Sequence, residues 1–212
     1  MWELVKAGGW LMLPLVLCSI FTVAITIERF IRLKKSMILP NALLLNSAQN
    51  ADAVMQQLQQ NQALQASTLG RIFMAGYQSK SQNQQFARVQ METTASQEIG
   101  YLEKNINFLG TLSAVAPLLG LLGTVLGIIE SFLVIDLGTN SNPTLMIPGI
   151  SKALITSAAG MFIAIPALFA YRYFQRLVQE YIAELEQQST LFHAALFYQN
   201  STDEEQDIRK AG

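Results

Sequence analysis

Long apolar runs without a charged residue constrain this chain more than any other feature. Residues 105–129 and 153–171 contain no Lys, Arg, Asp or Glu, and the same holds for residues 7–27. Each run supplies about 20 residues, which a helix rising ~1.5 Å per residue needs to cross a ~30 Å hydrocarbon core. The sequence therefore predicts an all-α membrane protein with three transmembrane helices.

Basic residues predict the orientation of the spans. Eight of the fourteen Lys and Arg residues lie between the first and second apolar runs, and four follow the third run, which ends at residue 171. Because cytoplasmic loops retain Lys and Arg, we expect the N-terminus outside the cytoplasm and the C-terminus inside. The expected segments are an outer interfacial helix at 1–9, spans at 10–28, 105–136 and 148–174, a cytoplasmic helical segment at 29–104, an outer connector at 137–147, and a cytoplasmic helix and tail at 175–212.

Apolar spacing predicts that two spans extend as helices far into the cytoplasm. Before the second span, apolar side chains recur at helical intervals, at Ala95, Ile99, Leu102, Ile106 and Leu109. An unbroken helix over 83–136 would be ~80 Å long, more than twice the hydrocarbon thickness. A similar pattern follows the third span. A bundle of so few long helices would expose much apolar surface in a single chain. We therefore expect a homo-oligomer.

Three hydroxyl residues lie near the middle of the second and third spans: Thr124, Thr156 and Ser157. Thr124 precedes Asp136 by ~18 Å of helix, and Ser157 follows Pro148 by ~13 Å, so the two have similar depths. A hydroxyl in hydrocarbon needs a partner or a pore, and these residues are candidates for a polar belt on a proton pathway. In the alternative interpretation, each hydroxyl bonds a backbone carbonyl one turn earlier.

Small residues on the second span predict close approach of another helix. Gly120, Gly123 and Gly127 are three and four residues apart and share one helical face. Such faces let helix backbones approach in membranes, and packing alone is a sufficient role for them. Prolines inside apolar runs are expected to kink the spans. The residues assigned to packing or kinking are Pro117, Gly120, Gly123, Gly127, Gly160 and Pro166.

One acidic and one basic residue stand near the outer ends of the second and third spans. Glu130 and Lys152 both lie ~6–9 Å inside these ends by helical rise. Opposite charges at matched depth favour a membrane ion pair, within or between subunits. The alternative is that each side chain extends separately to the outer surface.

No sequence pattern indicates catalysis, a metal or a cofactor. Cys18 and His193 are the only residues of their types, and neither has a second ligand nearby in sequence. Residues 120–127, GLLGTVLG, lack the lysine of a phosphate-binding loop. We expect a protein that is not an enzyme and binds neither cofactor nor metal.

Two strings resemble the signature spans of the MotA/TolQ/ExbB proton-channel family. They are APLLGLLGTVLGIIESF at 116–132 and GISKALITSAAGMFIAIPALFAYRYF at 149–174. The resemblance implies a bacterial inner-membrane pentamer whose pore holds the helices of an ExbD-like dimer. It also implies that proton motive force is passed to a TonB-like protein for import across the outer membrane. A TolQ-type output in outer-membrane constriction is one alternative, and a structural scaffold is another.

The resemblance also implies roles for single residues. Thr124 matches the family's pore threonine in the second span, and Ser157 matches a pore threonine in the third. Lys152 stands where members usually have glutamate, while Glu130 stands where they usually have an uncharged residue. We hypothesise that the Glu130–Lys152 pair replaces the contacts of that glutamate. Because hydroxyls do not store protons at ordinary pH, the proton-carrying carboxylate is expected on the partner helix.

Overall fold

The computed structural model describes residues 8–45, 51–136 and 143–197, which form helices and no strand. Short 3-10 turns lie at Asn41–Leu43 and Pro143–Met146. The all-α architecture predicted from the sequence is confirmed. The helices are α1 (Met12–Arg32), α2 (Lys35–Ile38), α3 (Ala51–Gln60), α4 (Gln62–Gln65), α5 (Thr68–Gln78), α6 (Gln84–Glu103), α7 (Ile106–Asp136) and α8 (Ile147–Phe197).

Three helical stretches of the described residues are long and apolar enough to cross a membrane. They are Met12–Arg32, Gln84–Leu133 and Thr144–Phe197. The prediction of three helices of spanning length is thus confirmed. Residues 1–7 of the expected interfacial helix, 137–142 of the connector and 198–212 of the tail lie outside the described part of the chain.

The expected unbroken helix over 83–136 is wrong, because the structure divides it. α6 ends at Glu103, α7 begins at Ile106, and Asn105 between them has a φ of 64°. This is the left-handed region, which asparagine adopts more readily than most other residues that have a Cβ. The Asn105 side-chain amide also donates to Oε2 of Glu28, at 3.1 Å. The apolar spacing continues across the break and therefore did not reveal it.

The described parts of Met1–Arg29 and Asn105–Gln175 form one compact unit, here called the span unit. It contains nearly all of α1, all of α7 and the first part of α8. α1 packs edge-on against α7 through Phe21 and Phe108, whose ring centroids are 6.1 Å apart. A buried cluster joins all three helices. It consists of Met12, Leu15, Ala116 and Ala164.

The described parts of Phe30–Lys104 and Arg176–Gly212 form a second compact unit. It contains α2 to α6 and the last part of α8. Phe73 of α5 and Phe192 of α8 stack with ring centroids 4.1 Å apart, and both side chains are fully buried. The described part of the segment expected to be helical therefore consists of four helices of 4 to 11 residues and the 20-residue α6.

Candidate functional site

α7 and α8 meet along an antiparallel seam of small residues within the span unit. A Cβ added at Gly120 would lie 3.2 Å from backbone atoms of Ser157. A Cβ added at Gly127 would lie 2.7 Å from the Cβ of Ala153, closer than real Cβ contacts allow. The glycines thus let the two backbones approach, as small residues do between membrane helices.

Gly123 has no room for a side chain on this seam, because the Thr156 side chain occupies the space where a Cβ would be. Gly160 of α8 gives the reciprocal contact, since a Cβ there would lie 2.6 Å from the carbonyl oxygen of Ala116. The glycine face of the second span is therefore the face that α8 covers.

The three hydroxyl residues occupy two different environments. Thr156 is only 1% exposed, and its Oγ1 donates to two carbonyls in the preceding turn, at 2.9 and 3.0 Å. Thr124 and Ser157 are partly exposed. The Thr124 hydroxyl donates to the carbonyl of Leu121, at 2.6 Å. Both threonines therefore make the local backbone bonds of the alternative interpretation, while Thr124 and Ser157 keep some exposed surface.

The antiparallel seam also sets the level of these hydroxyls. Gly123 contacts Thr156, and Thr124 and Ser157 each follow that contact by one residue on helices that run in opposite directions, so their levels along the pair differ by only ~3 Å. One hydroxyl is enclosed between the helices, and the other two flank the enclosed contact. The structure thus places two candidate pore residues at the edge of the seam and the third inside it.

Glu130 and Lys152 lie together between α7 and α8. The Lys152 Nζ is 2.7 Å from Oε2 of Glu130. The lysine side chain is 30% exposed and the glutamate side chain 55%, so water would weaken this attraction considerably. Gly9, with a φ of 71°, passes beside the lysine, and a Cβ there would lie 3.0 Å from Nζ. The structure brings the two charges together within one chain.

Two further polar contacts were missed by sequence reasoning. Ser131 is 2% exposed, and its hydroxyl donates to the carbonyls of Gly127 at 2.8 Å and Met146 at 3.3 Å. It therefore links α7 to the turn before α8. Asn105 bonds Glu28 as described above. In the sequence, both Ser131 and Asn105 are polar residues near an end of an apolar run. That pattern is too common to predict a particular contact.

The other residues considered in the sequence analysis are two prolines, one cysteine and one histidine. Pro117 and Pro166 lie inside α7 and α8, and both helices continue past them. Cys18 has a free thiol, and the Nε2 of His193 lies 3.2 Å from the carbonyl oxygen of Gln84. Within residues 8–45, 51–136 and 143–197, no group of three His, Cys, Asp or Glu residues is placed to hold a metal ion.

Comparison with known proteins finds similarity over most of the chain. The family model described as the MotA/TolQ/ExbB proton channel family matches residues 50–187. The biopolymer transport protein ExbB-like 1 of Synechocystis is 30% identical over 202 residues, which cover 91% of this chain and 78% of that protein.

Two other relatives match over shorter regions. The Tol-Pal system protein TolQ of Haemophilus influenzae is 35% identical over 111 residues, 50% of this chain and 49% of TolQ. The biopolymer transport protein ExbB of Salmonella typhimurium is 39% identical over 85 residues, 40% of this chain and 35% of ExbB. The chain therefore matches about half of one of these relatives and about a third of the other.

Proposed function

This chain belongs to the MotA/TolQ/ExbB proton channel family, and from that premise we propose that it is a subunit of a proton-driven motor in the bacterial inner membrane. Several copies, five by family resemblance, surround the transmembrane helices of an ExbD-like partner. The N-terminus lies in the periplasm and the C-terminus in the cytoplasm. The complex passes its work to a TonB-like protein that drives import across the outer membrane.

The proposal depends mainly on the positions of Thr124 and Ser157. Both are partly exposed at one level of two helices that are long and apolar enough to span a membrane. The glycine seam fixes the two backbones against each other, so the hydroxyls at its edge keep a fixed spacing along the pair. A fixed polar level in an apolar wall supports a role in lining a pore.

The chemistry of these side chains limits what they do in the motor. A hydroxyl donates and accepts hydrogen bonds but does not hold a transferable proton at ordinary pH. Thr124 and Ser157 therefore orient water or a partner carboxylate, and that carboxylate carries the proton. Each proton that crosses the field releases ~2.3 kcal/mol per 100 mV, which is the energy available for motion. The Glu130–Lys152 pair takes over contacts made by the glutamate of other family members.

Replacement of Thr124 by valine tests the proposal. Valine keeps the shape but removes the hydroxyl, so we expect normal membrane assembly with a loss of proton-dependent siderophore uptake. Thr111→Val is the matched control, because Thr111 is exposed on the same helix and also bonds a local carbonyl, that of Asn107, at 3.1 Å. A purely structural scaffold would keep both assembly and uptake in the two variants.

The TolQ-like output is a second candidate, favoured by the similarity to TolQ of Haemophilus influenzae. In that case the same motor serves outer-membrane constriction. Deletion of the gene separates the two outputs: loss of siderophore uptake supports import, whereas detergent sensitivity and defective constriction with normal uptake support the TolQ-like role.

A further inference from the structure

A cavity of about 310 Å³ lies beside the Glu130–Lys152 pair, at the end of the span unit where α7 ends and α8 begins. Most of its wall is apolar and open to the surroundings: Leu126 is 37% exposed and Leu133 53% exposed. Its size falls at the lower end of the range of ligand sites in proteins. The cavity thus combines an apolar groove with two opposite charges at its rim.

The two charged groups retain hydrogen-bonding capacity. An ammonium has three donors and a carboxylate has two acceptor oxygens, yet one bond joins Lys152 to Glu130. Among the described residues, neither group makes a second hydrogen bond. Their side chains are 30% and 55% exposed beside the groove. At the edge of a membrane, such groups need water or a polar ligand.

We propose that this groove binds a zwitterionic phospholipid whose head group carries a primary ammonium. An acyl chain occupies the groove, the phosphate accepts from the Lys152 Nζ, and the head-group ammonium donates to the Glu130 carboxylate. The proposal rests on the proposed function only in placing the span unit in a membrane. Gly9 leaves room for the lysine, because a side chain there would collide with it.

The arrangement of charges selects among lipid head groups. A choline head group has the same charges as ethanolamine but no N–H to donate to Glu130. A glycerol head group has the phosphate but no positive charge to face the glutamate. Charge-assisted hydrogen bonds are the strong ones, so the ethanolamine lipid is expected to bind about tenfold more tightly than the choline lipid.

Trp10 provides a reporter for this site, because it lines the cavity and is 67% exposed. The chain has two tryptophans, so Trp2→Phe leaves Trp10 as the single tryptophan, which is excited selectively over the tyrosines. The full chain is reconstituted in phosphatidylcholine bilayers that contain a small fraction of brominated-chain phosphatidylethanolamine, phosphatidylcholine or phosphatidylglycerol. Bromine quenches on contact, so phosphatidylethanolamine is expected to quench Trp10 at about tenfold lower mole fraction than phosphatidylcholine.

The variant Glu130→Gln with Lys152→Gln should abolish that preference. Arg176→Gln with Glu180→Gln is the matched control, because it removes another exposed ion pair, 2.9 Å long and four residues apart within α8, whose residues do not line the cavity. Equal quenching by the three lipids, or a preference that survives in the cavity variant, would overturn the proposal. Weak quenching by all of them would mean that another copy or a partner helix covers the groove, which also overturns it. Proton-dependent uptake is measured separately, so failure here leaves the motor proposal standing.

Discussion

Among single residues, Gly123 leaves little room for change, because Thr156 fills the space where a side chain would begin. Gly123→Ala is expected to lower the free energy of unfolding in detergent by about 1–3 kcal/mol, the usual cost of overpacking. The control is Gly100→Ala on α6, where nothing lies within 4 Å of an added Cβ. That change should be neutral or stabilising by up to ~1 kcal/mol, because alanine is the better helix former. Equal thermal midpoints for the two variants would contradict the tight seam.

The Glu130–Lys152 pair gives a second prediction at the residue scale. Glu130→Gln or Lys152→Gln alone leaves one charge without its partner, whereas the double variant removes both. We therefore expect the double variant to be less damaged in stability than the sum of the single variants. The coupling should be below about 1 kcal/mol, because both side chains are substantially exposed. Thermal unfolding of the four proteins in one detergent measures it, and strict additivity would show that the charges act independently.

At the scale of helices, Asn105 determines where α6 stops and α7 starts. Asn105→Ala should lower the free energy of unfolding by about 1–2 kcal/mol, because alanine resists a φ of 64° and loses the bond to Glu28. Asn105→Gly should be milder, since glycine adopts this conformation freely. Asn107→Ala is the control, because Asn107 is exposed near the start of α7. If Asn105→Ala were stabilising, the break would be a strained interruption of a helix that prefers to continue.

The helices also show which features the sequence could and could not predict. Span length and the glycine face are local properties, since they follow from composition and a period of 3.6 residues. The similar depth of Thr124 and Ser157 followed from counting residues along two antiparallel helices. Counting residues gives the depth of a side chain but not the direction it faces. Thr156 and Ser157 differ by ~100° of rotation around α8, so counting could not predict which of the two is buried. The break at Asn105 involves Glu28, which is 77 residues away in sequence.

For the whole molecule, the exposed apolar side chains have two different explanations. In the proposed membrane placement, those of the span unit face lipid. In the second unit, which the proposal places in the cytoplasm, Phe86 is 37% exposed and Val89 47%. They are three residues apart and share one face of α6. An apolar face that is exposed to water is stabilised by burial against another molecule. In a homo-oligomer, we expect a second copy of the chain to pack on this face of α6.

This face gives a prediction about assembly. Phe86→Glu with Val89→Glu should reduce the mass of the oligomer in mild detergent toward the 23.4 kDa of one chain, because charges would be buried at the contact. Glutamate favours helices, so α6 should keep its fold. Gln85→Glu with Gln97→Glu adds the same charge to exposed positions of α6 and should leave the mass unchanged. Native mass spectrometry separates the outcomes: if both variants retain the wild-type mass, contacts between the spans alone hold the copies together, and the exposed face of α6 is free for a different partner.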